Sequence, residues 1–254
     1  MSSLFRISES RAEGIARIIL GAPGELNILR NDDRYELSDA IQTLGGQPWL
    51  KVLIIESASE RAFSAGVDVR EFSGMTPLAM SRLYDSMAAP ERIPQPVIAS
   101  IDGHCYGGPF ELSLACDFRI VSETASLGLP EVTLGQMPGS GGGQRLLRLV
   151  GLTRAKELCM TGRRIDGSTA EAWGIATRCV PRPDLAPAVD ELAAQLAGFS
   201  QPALQMIKLS LNLGADASLR VALELEGHMY ATLRTTPEYE EHLQRWLNRR
   251  TEGS

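Results

Sequence analysis

The chain has few cysteines, few histidines and no long hydrophobic run, and each scarcity excludes a class of protein. Its four cysteines are widely spaced and form no C-x-x-C pair, so they indicate reduced thiols in a cytoplasmic protein rather than a disulfide framework. Its three histidines stand far apart, and the sequence therefore predicts no metal site. No apolar run approaches the length of a membrane span, and residues 1–10 lack the apolar stretch of a signal peptide, so we expect no membrane association.

The chain also lacks an excess of basic residues. Lysine and arginine number 25 against 31 aspartates and glutamates, which gives a net charge of −6. Because nucleic-acid binding depends on a basic surface, this balance excludes it as a general function. A small anionic ligand remains compatible with the balance, since a local group of arginines can override the global sign.

The order of apolar segments predicts an α/β fold. Strand-like apolar segments alternate with amphipathic helical segments as far as residue 184, and the pattern is wholly helical from residue 185 onward. Predicted strands cover residues 15–20, 52–55, 97–101 and 118–121. Predicted helices cover residues 35–44, 78–87, 109–115, 144–150, 154–160, 185–198, 204–213, 218–233 and 237–249. We therefore expect a core domain over residues 1–184 and a helical region over residues 185–254.

Glu111 follows a predicted strand and a pair of glycines, in the run DGHCYGGPFE at residues 102–111. Gly107 and Gly108 let the backbone approach a ligand closely. Pro109 suits the first turn of a helix, so the Gly108 N–H points out of the helix start, where the helix dipole is positive. Taken alone, Glu111 is better explained as a side chain that complements this dipole in the first turn.

A second glutamate, Glu131, ends the run LGLPE shortly before the glycine-rich residues 138–143. Two carboxyl groups brought together can hold one water, with one group acting as base and the other as acid. Together with N–H groups that stabilise an oxyanion, such a pair suggests addition or removal of water at an activated carbonyl compound. The glycine run lacks the Lys-Ser/Thr of a phosphate-binding loop, and we interpret it as a structural loop ahead of a helix.

Two further segments allow alternative interpretations. Residues 61–68, RAFSAGVD, could present a second N–H from Val67, while Asp68 also suits the start of a helix. Cys105 lies in a G-x-C-x-G pattern, as the nucleophile of a cysteine-based α/β-hydrolase would. That enzyme needs a histidine further along the chain, and the two available, His228 and His242, fall on predicted helices. We therefore favour a small buried residue at position 105.

Taken in order, residues 61–68, 98–117 and 129–145 resemble the crotonase superfamily, the enoyl-CoA hydratase/isomerase family. The resemblance covers about residues 52–181. It implies a spiral of ββα units, and a C-terminal helical region that assembles a homotrimer or a dimer of trimers and covers the pocket. It also implies an acyl-CoA thioester as ligand, with no separate cofactor because CoA is part of the substrate.

The resemblance further implies reversible hydration of a 2-enoyl-CoA, with isomerisation, another acyl-CoA lyase or hydrolase reaction, or a non-catalytic CoA-binding role as alternatives. The thioester carbonyl would lie between the N–H groups of Val67 and Gly108, and Glu111 and Glu131 would act as acid and base. The remaining substrate contacts that it implies are Leu26, Arg61, Ala65, Gly66, Asp68, Gly107, Pro130 and Gly139. Pro109 departs from the family pattern, which has a small residue there, and with Phe110 it is expected to reshape the acyl pocket.

Overall fold

The computed structural model of the chain describes residues 4–252, with side chains as far as residue 248. Within this part the chain forms ten strands, which are β1 (Phe5–Ser10), β2 (Ile15–Leu20), β3 (Val52–Ser57), β4 (Ala62–Ser64), β5 (Val97–Ile101), β6 (His104–Tyr106), β7 (Phe118–Ser122), β8 (Ser126–Gly128), β9 (Arg164–Asp166) and β10 (Arg178–Val180). A large sheet has the order β1-β2-β3-β5-β7-β10, and a small sheet has the order β4-β6-β8-β9.

Helices connect and cover these sheets. They are α1 (Asn31–Gly45), α2 (Pro77–Ser81), α3 (Leu83–Ser86), α4 (Ala89–Arg92), α5 (Gly108–Ala115), α6 (Gly142–Thr161), α7 (Gly167–Ala172), α8 (Leu185–Ala197), α9 (Gln201–Gly214), α10 (Leu219–Leu233) and α11 (Pro237–Glu252). Short 3₁₀ turns cover Val69–Phe72, Pro130–Leu134 and Arg182–Asp184. No helix within residues 4–252 is long and apolar enough to cross a bilayer.

The strands follow a spiral path, as the resemblance implied. In each of the pairs β3/β4, β5/β6 and β7/β8, the first strand joins the large sheet and the second joins the small sheet. The three first strands run parallel to one another, and so do the three second strands. Such parallel strands are covered on both faces, which explains why residues 52–55 of β3 are apolar and buried and why β5 is almost continuously apolar and buried along its whole length. The expected α/β spiral is therefore confirmed.

This spiral places three loops at one edge of the small sheet. The carboxyl ends of parallel strands meet at the same edge, and ligands commonly bind there in α/β proteins. Residues 65–67 follow β4, Gly107 and Gly108 follow β6, and Pro130 and Glu131 come shortly after β8. Segments that are far apart in the sequence thus converge because neighbouring strands of one sheet end together.

The local structure differs from the sequence prediction in three ways. Residues 78–87 form two short helices, α2 and α3, instead of the one predicted helix. The two helices predicted over residues 144–150 and 154–160 form one helix, α6, interrupted only by non-helical backbone at Gly151, where φ is +76°. The three-residue strands β4, β6, β8, β9 and β10 were not predicted, because three residues are too few to show a period.

The C-terminal region is helical from Leu185, as predicted. Helix α8 packs on the large sheet through Ala188, Val189 and Ala193, which contact a buried apolar cluster that includes Ile54 and Ile98. Helices α9 and α10 pack against each other. The role of residues 185–254 in assembly stays a prediction.

Candidate active site

Two backbone N–H groups lie side by side where β4 and β6 end. A Cβ atom placed on Gly108 would lie 3.0 Å from Cγ1 of Val67, so the two residues approach each other closely. Gly107, with φ of +58°, turns the chain sharply so that α5 begins at Gly108. Neither the Val67 N–H nor the Gly108 N–H donates a hydrogen bond to any other group in residues 4–252. This pair is therefore available to an oxyanion.

Glu111 lies one helical turn beyond Gly107, on α5, and is only 2% exposed. Its Oε1 accepts hydrogen bonds from the backbone N–H groups of Ser140 and Gly142, both at 2.8 Å. No residue of the described chain donates to its Oε2. The two N–H groups fix the orientation of the carboxyl group and leave the second oxygen available to a ligand.

Glu131 is the second residue of the 3₁₀ turn after β8 and is half-buried. Its Oε1 lies 3.2 Å from the position that a Cβ on Gly107 would occupy, so it faces the glycine pair. Its Oε2 is buried and has no hydrogen-bond partner among the described residues. Burial is the main cause that raises the pKa of Glu131, and the nearby charge of Glu111 acts in the same direction; together they bring it to about 7. The carboxyl group can therefore hold a proton near neutral pH.

These groups line one cavity of about 380 Å³. The residues of this cavity that the sequence analysis singled out are Ala65, Gly66, Val67, Gly107, Gly108, Glu111, Pro130, Glu131 and Gly139. Apolar side chains such as Phe72, Leu83 and Met137 form much of the remaining wall. A carboxyl pair, two free N–H groups and an apolar wall suit an acyl thioester whose carbonyl becomes negatively charged during reaction.

Comparison with known proteins agrees with this geometry. The model of the enoyl-CoA hydratase/isomerase family matches residues 10–253. The chain belongs to the enoyl-CoA hydratase/isomerase family. A crotonyl-CoA hydratase of Syntrophomonas wolfei is 30% identical over 94% of each chain. An enoyl-CoA hydratase domain-containing mitochondrial protein of Bos taurus is 35% identical over 86% of this chain and 77% of its own.

Solved structures place the fold in the same family. The crystal structure of an enoyl-CoA hydratase from Bacillus anthracis superposes with a TM-score of 0.89, at 36% identity over 97% of this chain and 96% of that one. An enoyl-CoA hydratase structure from Geobacillus kaustophilus gives a TM-score of 0.91 at 30% identity, over 97% and 95% of the two chains. The crotonase fold is thereby established for this chain.

Three residues that the family resemblance implied lie outside the lining of the cavity. The Leu26 carbonyl accepts a 2.8 Å hydrogen bond from the Ala65 N–H and so stabilises the loop of residues 65–67. Asp68 accepts hydrogen bonds from the backbone and side chain of Arg70. Arg61 is exposed and donates a 2.8 Å hydrogen bond to the Gly24 carbonyl. Their contacts with a substrate stay predictions.

Cys105 does not have the setting of a nucleophile. It lies within β6 and is fully buried. Burial raises the pKa of the Cys105 thiol well above its usual range, so the reactive thiolate is disfavoured. This geometry supports the interpretation of Cys105 as a small core residue over the hydrolase alternative.

Sequence reasoning missed two contributors to the site. The glycine run was interpreted as a structural loop only, yet its Ser140 and Gly142 hold Glu111. Arg34 was not singled out, yet it lines the cavity. A signal for Arg34 existed: it precedes Leu37 by three residues and Ile41 by seven, a spacing that places it on the buried face of α1.

Proposed function

We propose that this family member catalyses the reversible addition of water to a 2-enoyl-CoA thioester, giving a 3-hydroxyacyl-CoA. One observation carries the proposal. Glu111 and Glu131 line the same cavity as the two unpartnered N–H groups of Val67 and Gly108. The Syntrophomonas wolfei relative, which is named a crotonyl-CoA hydratase, supports the same reaction class.

In this proposal the thioester carbonyl oxygen accepts hydrogen bonds from Val67 and Gly108. When water attacks C3, the electrons of the C2=C3 bond move toward C2 and the carbonyl, and the oxygen gains negative charge. Fixed N–H donors bind that enolate oxygen more strongly than the neutral carbonyl, so they lower the barrier. Gly108 lies at the first turn of α5, where the helix dipole adds to the effect.

The two glutamates divide the proton transfers. Glu111, whose Oε1 is occupied by two N–H donors, takes a proton from water with Oε2 as the water oxygen bonds to C3. Glu131, whose pKa is raised to about 7, delivers a proton to C2. The product carries the hydroxyl of the water on C3 and the proton from Glu131 on C2. The proton that Glu111 took from the water then passes to Glu131, so both carboxyl groups return to their starting states and one water molecule is consumed. In dehydration the two roles are exchanged.

Replacing each glutamate by glutamine tests this assignment. We expect Glu111→Gln and Glu131→Gln each to lower the hydration rate of crotonyl-CoA by about 10²–10⁴-fold, the usual effect of a positioned acid or base. Glu123→Gln is a matched control, because Glu123 is exposed and does not line the cavity. Loss of the absorbance of the conjugated thioester measures turnover. Full activity in either of the first two variants would show that hydration does not use this pair.

Isomerisation is the second candidate, since a single carboxyl group with a pKa near 7 can both remove and return a proton at neutral pH. Glu131 alone would then move a proton between C4 and C2 of a 3-enoyl-CoA. Glu111→Gln distinguishes the two reactions. It should abolish hydration of crotonyl-CoA but leave conversion of a 3-enoyl-CoA into a 2-enoyl-CoA largely intact if isomerisation is the principal activity.

We also propose a homotrimer or a dimer of trimers. The support is an apolar surface on α9 and α10 that includes the exposed side chains of Ile207, Leu211, Leu223 and Tyr230. Exposed apolar patches of this kind mark protein interfaces, and identical subunits usually close into rings.

A further inference from the structure

Arg34 is an unusual residue to find in the interior of this protein. It lies on α1 and is 2% exposed, among the largest fully buried side chains of the described chain. Arginine is rarely buried unless an acidic group pairs with it, because removing the charge from water is costly. The burial of Arg34 therefore needs a physical explanation.

The partners of Arg34 are neutral oxygens. Its Nη2 donates to Oγ of Ser140 at 2.8 Å and to the Leu83 carbonyl at 3.1 Å. Its Nε is buried and donates to no group in the described part of the chain. No carboxylate of residues 4–248 lies within ion-pair distance of the guanidinium. Burial lowers the pKa of Arg34, and the charge of Glu111 opposes that effect. The cation is thus incompletely satisfied by the protein itself.

Arg34 lies in the wall of the cavity that holds Glu111 and the two free N–H groups. The same cavity is lined by the apolar side chains of Phe72, Met80 and Leu83, together with Glu111 and the Ser140 hydroxyl that accepts from Arg34. In such surroundings a charged donor forms stronger hydrogen bonds than it would in water. The planar fork of the guanidinium also matches the two oxygens of a carboxylate.

We propose that Arg34 selects acyl-CoA substrates whose acyl chain ends in a carboxylate. The proposal rests on the proposed function, and it makes the substrate a mono-CoA thioester of an enedioic acid. The thioester carbonyl binds at Val67 and Gly108, and the distal carboxylate pairs with the guanidinium. The acyl chain spans the apolar wall between them. This arrangement gives the guanidinium a carboxylate at ion-pair distance, whereas within residues 4–248 the charge of Glu111 acts on it only from farther away.

Binding of unreactive thioesters tests the site without any chemistry. Glutaryl-CoA and adipyl-CoA each carry a carboxylate where pentanoyl-CoA and hexanoyl-CoA carry a methyl group. We expect the unaltered protein to bind at least one of the two carboxylated ligands ten-fold or more tightly than its matched partner, by titration calorimetry. Equal binding within both pairs would overturn the proposal, and this comparison needs no variant.

Two variants assign the preference to Arg34. Arg34→Met keeps the length and removes the charge, and should abolish the preference for the carboxylated ligand over its matched partner. Arg34→Lys keeps the charge without the fork and should retain part of the preference. A preference that survives in Arg34→Met would overturn the proposal. Equal weakening of both ligand classes would also overturn it, because it would show that Arg34 only positions Ser140.

Hydration of crotonyl-CoA, measured alongside, separates this proposal from the proposed function. A carboxylate preference without turnover of any enoyl-CoA would support the Arg34 site and count against hydration. Turnover of crotonyl-CoA without a carboxylate preference would support hydration and overturn the Arg34 site.

Discussion

The Gly142 N–H lies 2.8 Å from Oε1 of Glu111, and no side chain on residue 142 could be accommodated without moving that carboxyl group. A Cβ there would lie 2.7 Å from Cγ of Glu111 and 3.0 Å from its Oε1. The glycine-rich loop ahead of α6 therefore acts as a rigid support for the general base of the proposed reaction.

Gly142→Ala should lower the turnover of crotonyl-CoA by about 10–100-fold, since a displacement of about 1 Å in a catalytic group can cost two orders of magnitude. The Michaelis constant should change little, because the N–H groups of Val67 and Gly108 are untouched. Gly143→Ala is the matched control: a Cβ there would meet only Sγ of Cys159, at an ordinary 3.7 Å. Equal losses in the two variants would mean that space next to Glu111 does not determine the rate.

Glu131 makes the stability of the protein depend on pH in a predictable direction. Its pKa rises from an ordinary 4.5 to about 7 on folding, so the folded state holds its proton more tightly than the unfolded state. Below pH 4.5 both states are protonated and the group has no effect. Between pH 4.5 and 7 the unfolded state ionises first, so stability is lost as pH rises, and above pH 7 the loss is complete.

Glu131→Gln removes this effect. The variant should therefore match the parent protein in stability near pH 4.5 and exceed it by about 1–3 kcal/mol at pH 8, where the effect of the raised pKa is fully expressed. Urea denaturation at the two pH values, at one protein concentration, measures the difference. Glu123→Gln controls for the loss of a charge on the surface. A stability difference that is the same at both pH values would contradict the raised pKa.

The sequence was sufficient to predict the family and the spiral fold, because motifs such as GGPFE at residues 107–111 combine glycine, proline and an acid in a fixed order. It also singled out Glu111 and Glu131, which line one cavity in the structure and whose catalytic roles stay predictions. It was not sufficient to predict the partners of Glu111. Ser140 and Gly142 reach it only when α6 packs beside α5, a contact between segments about 30 residues apart. Likewise, the pKa of Glu131 depends on burial, and burial depends on the complete fold.

Arg61 is the candidate for a contact with the phosphates of CoA, and it is exposed at the start of the loop that leads to Val67. Arg61→Ala should raise the Michaelis constant for crotonyl-CoA several-fold at low ionic strength while leaving kcat unchanged. At about 1 M salt the difference should nearly vanish, because the Debye length falls to about 3 Å. Arg6→Ala, an exposed arginine on β1, serves as the control. Unchanged Michaelis constants at all ionic strengths would rule out the contact.

The apolar surface on α9 and α10 leads to a prediction about assembly. Leu223 is 57% exposed in the single chain, within a group of apolar side chains that line a surface cavity of about 510 Å³. If this surface contacts a second subunit, a charge at position 223 must be buried without a partner, which costs several kcal/mol. Leu223→Glu should therefore convert the assembly into monomers, and truncation after Gly214, which removes α10 and α11, should do the same.

Activity should fall together with assembly, because the family resemblance implies that the C-terminal helices cover a neighbouring acyl pocket. Light scattering and crotonyl-CoA turnover on the same samples test both statements. Ile7→Glu is the control: Ile7 is 43% exposed on β1, away from α9 and α10, so the same added charge there should leave both measurements unchanged. A fully active monomer of 27.5 kDa at micromolar concentration would show that the pocket is complete within one chain and that this apolar surface has another role.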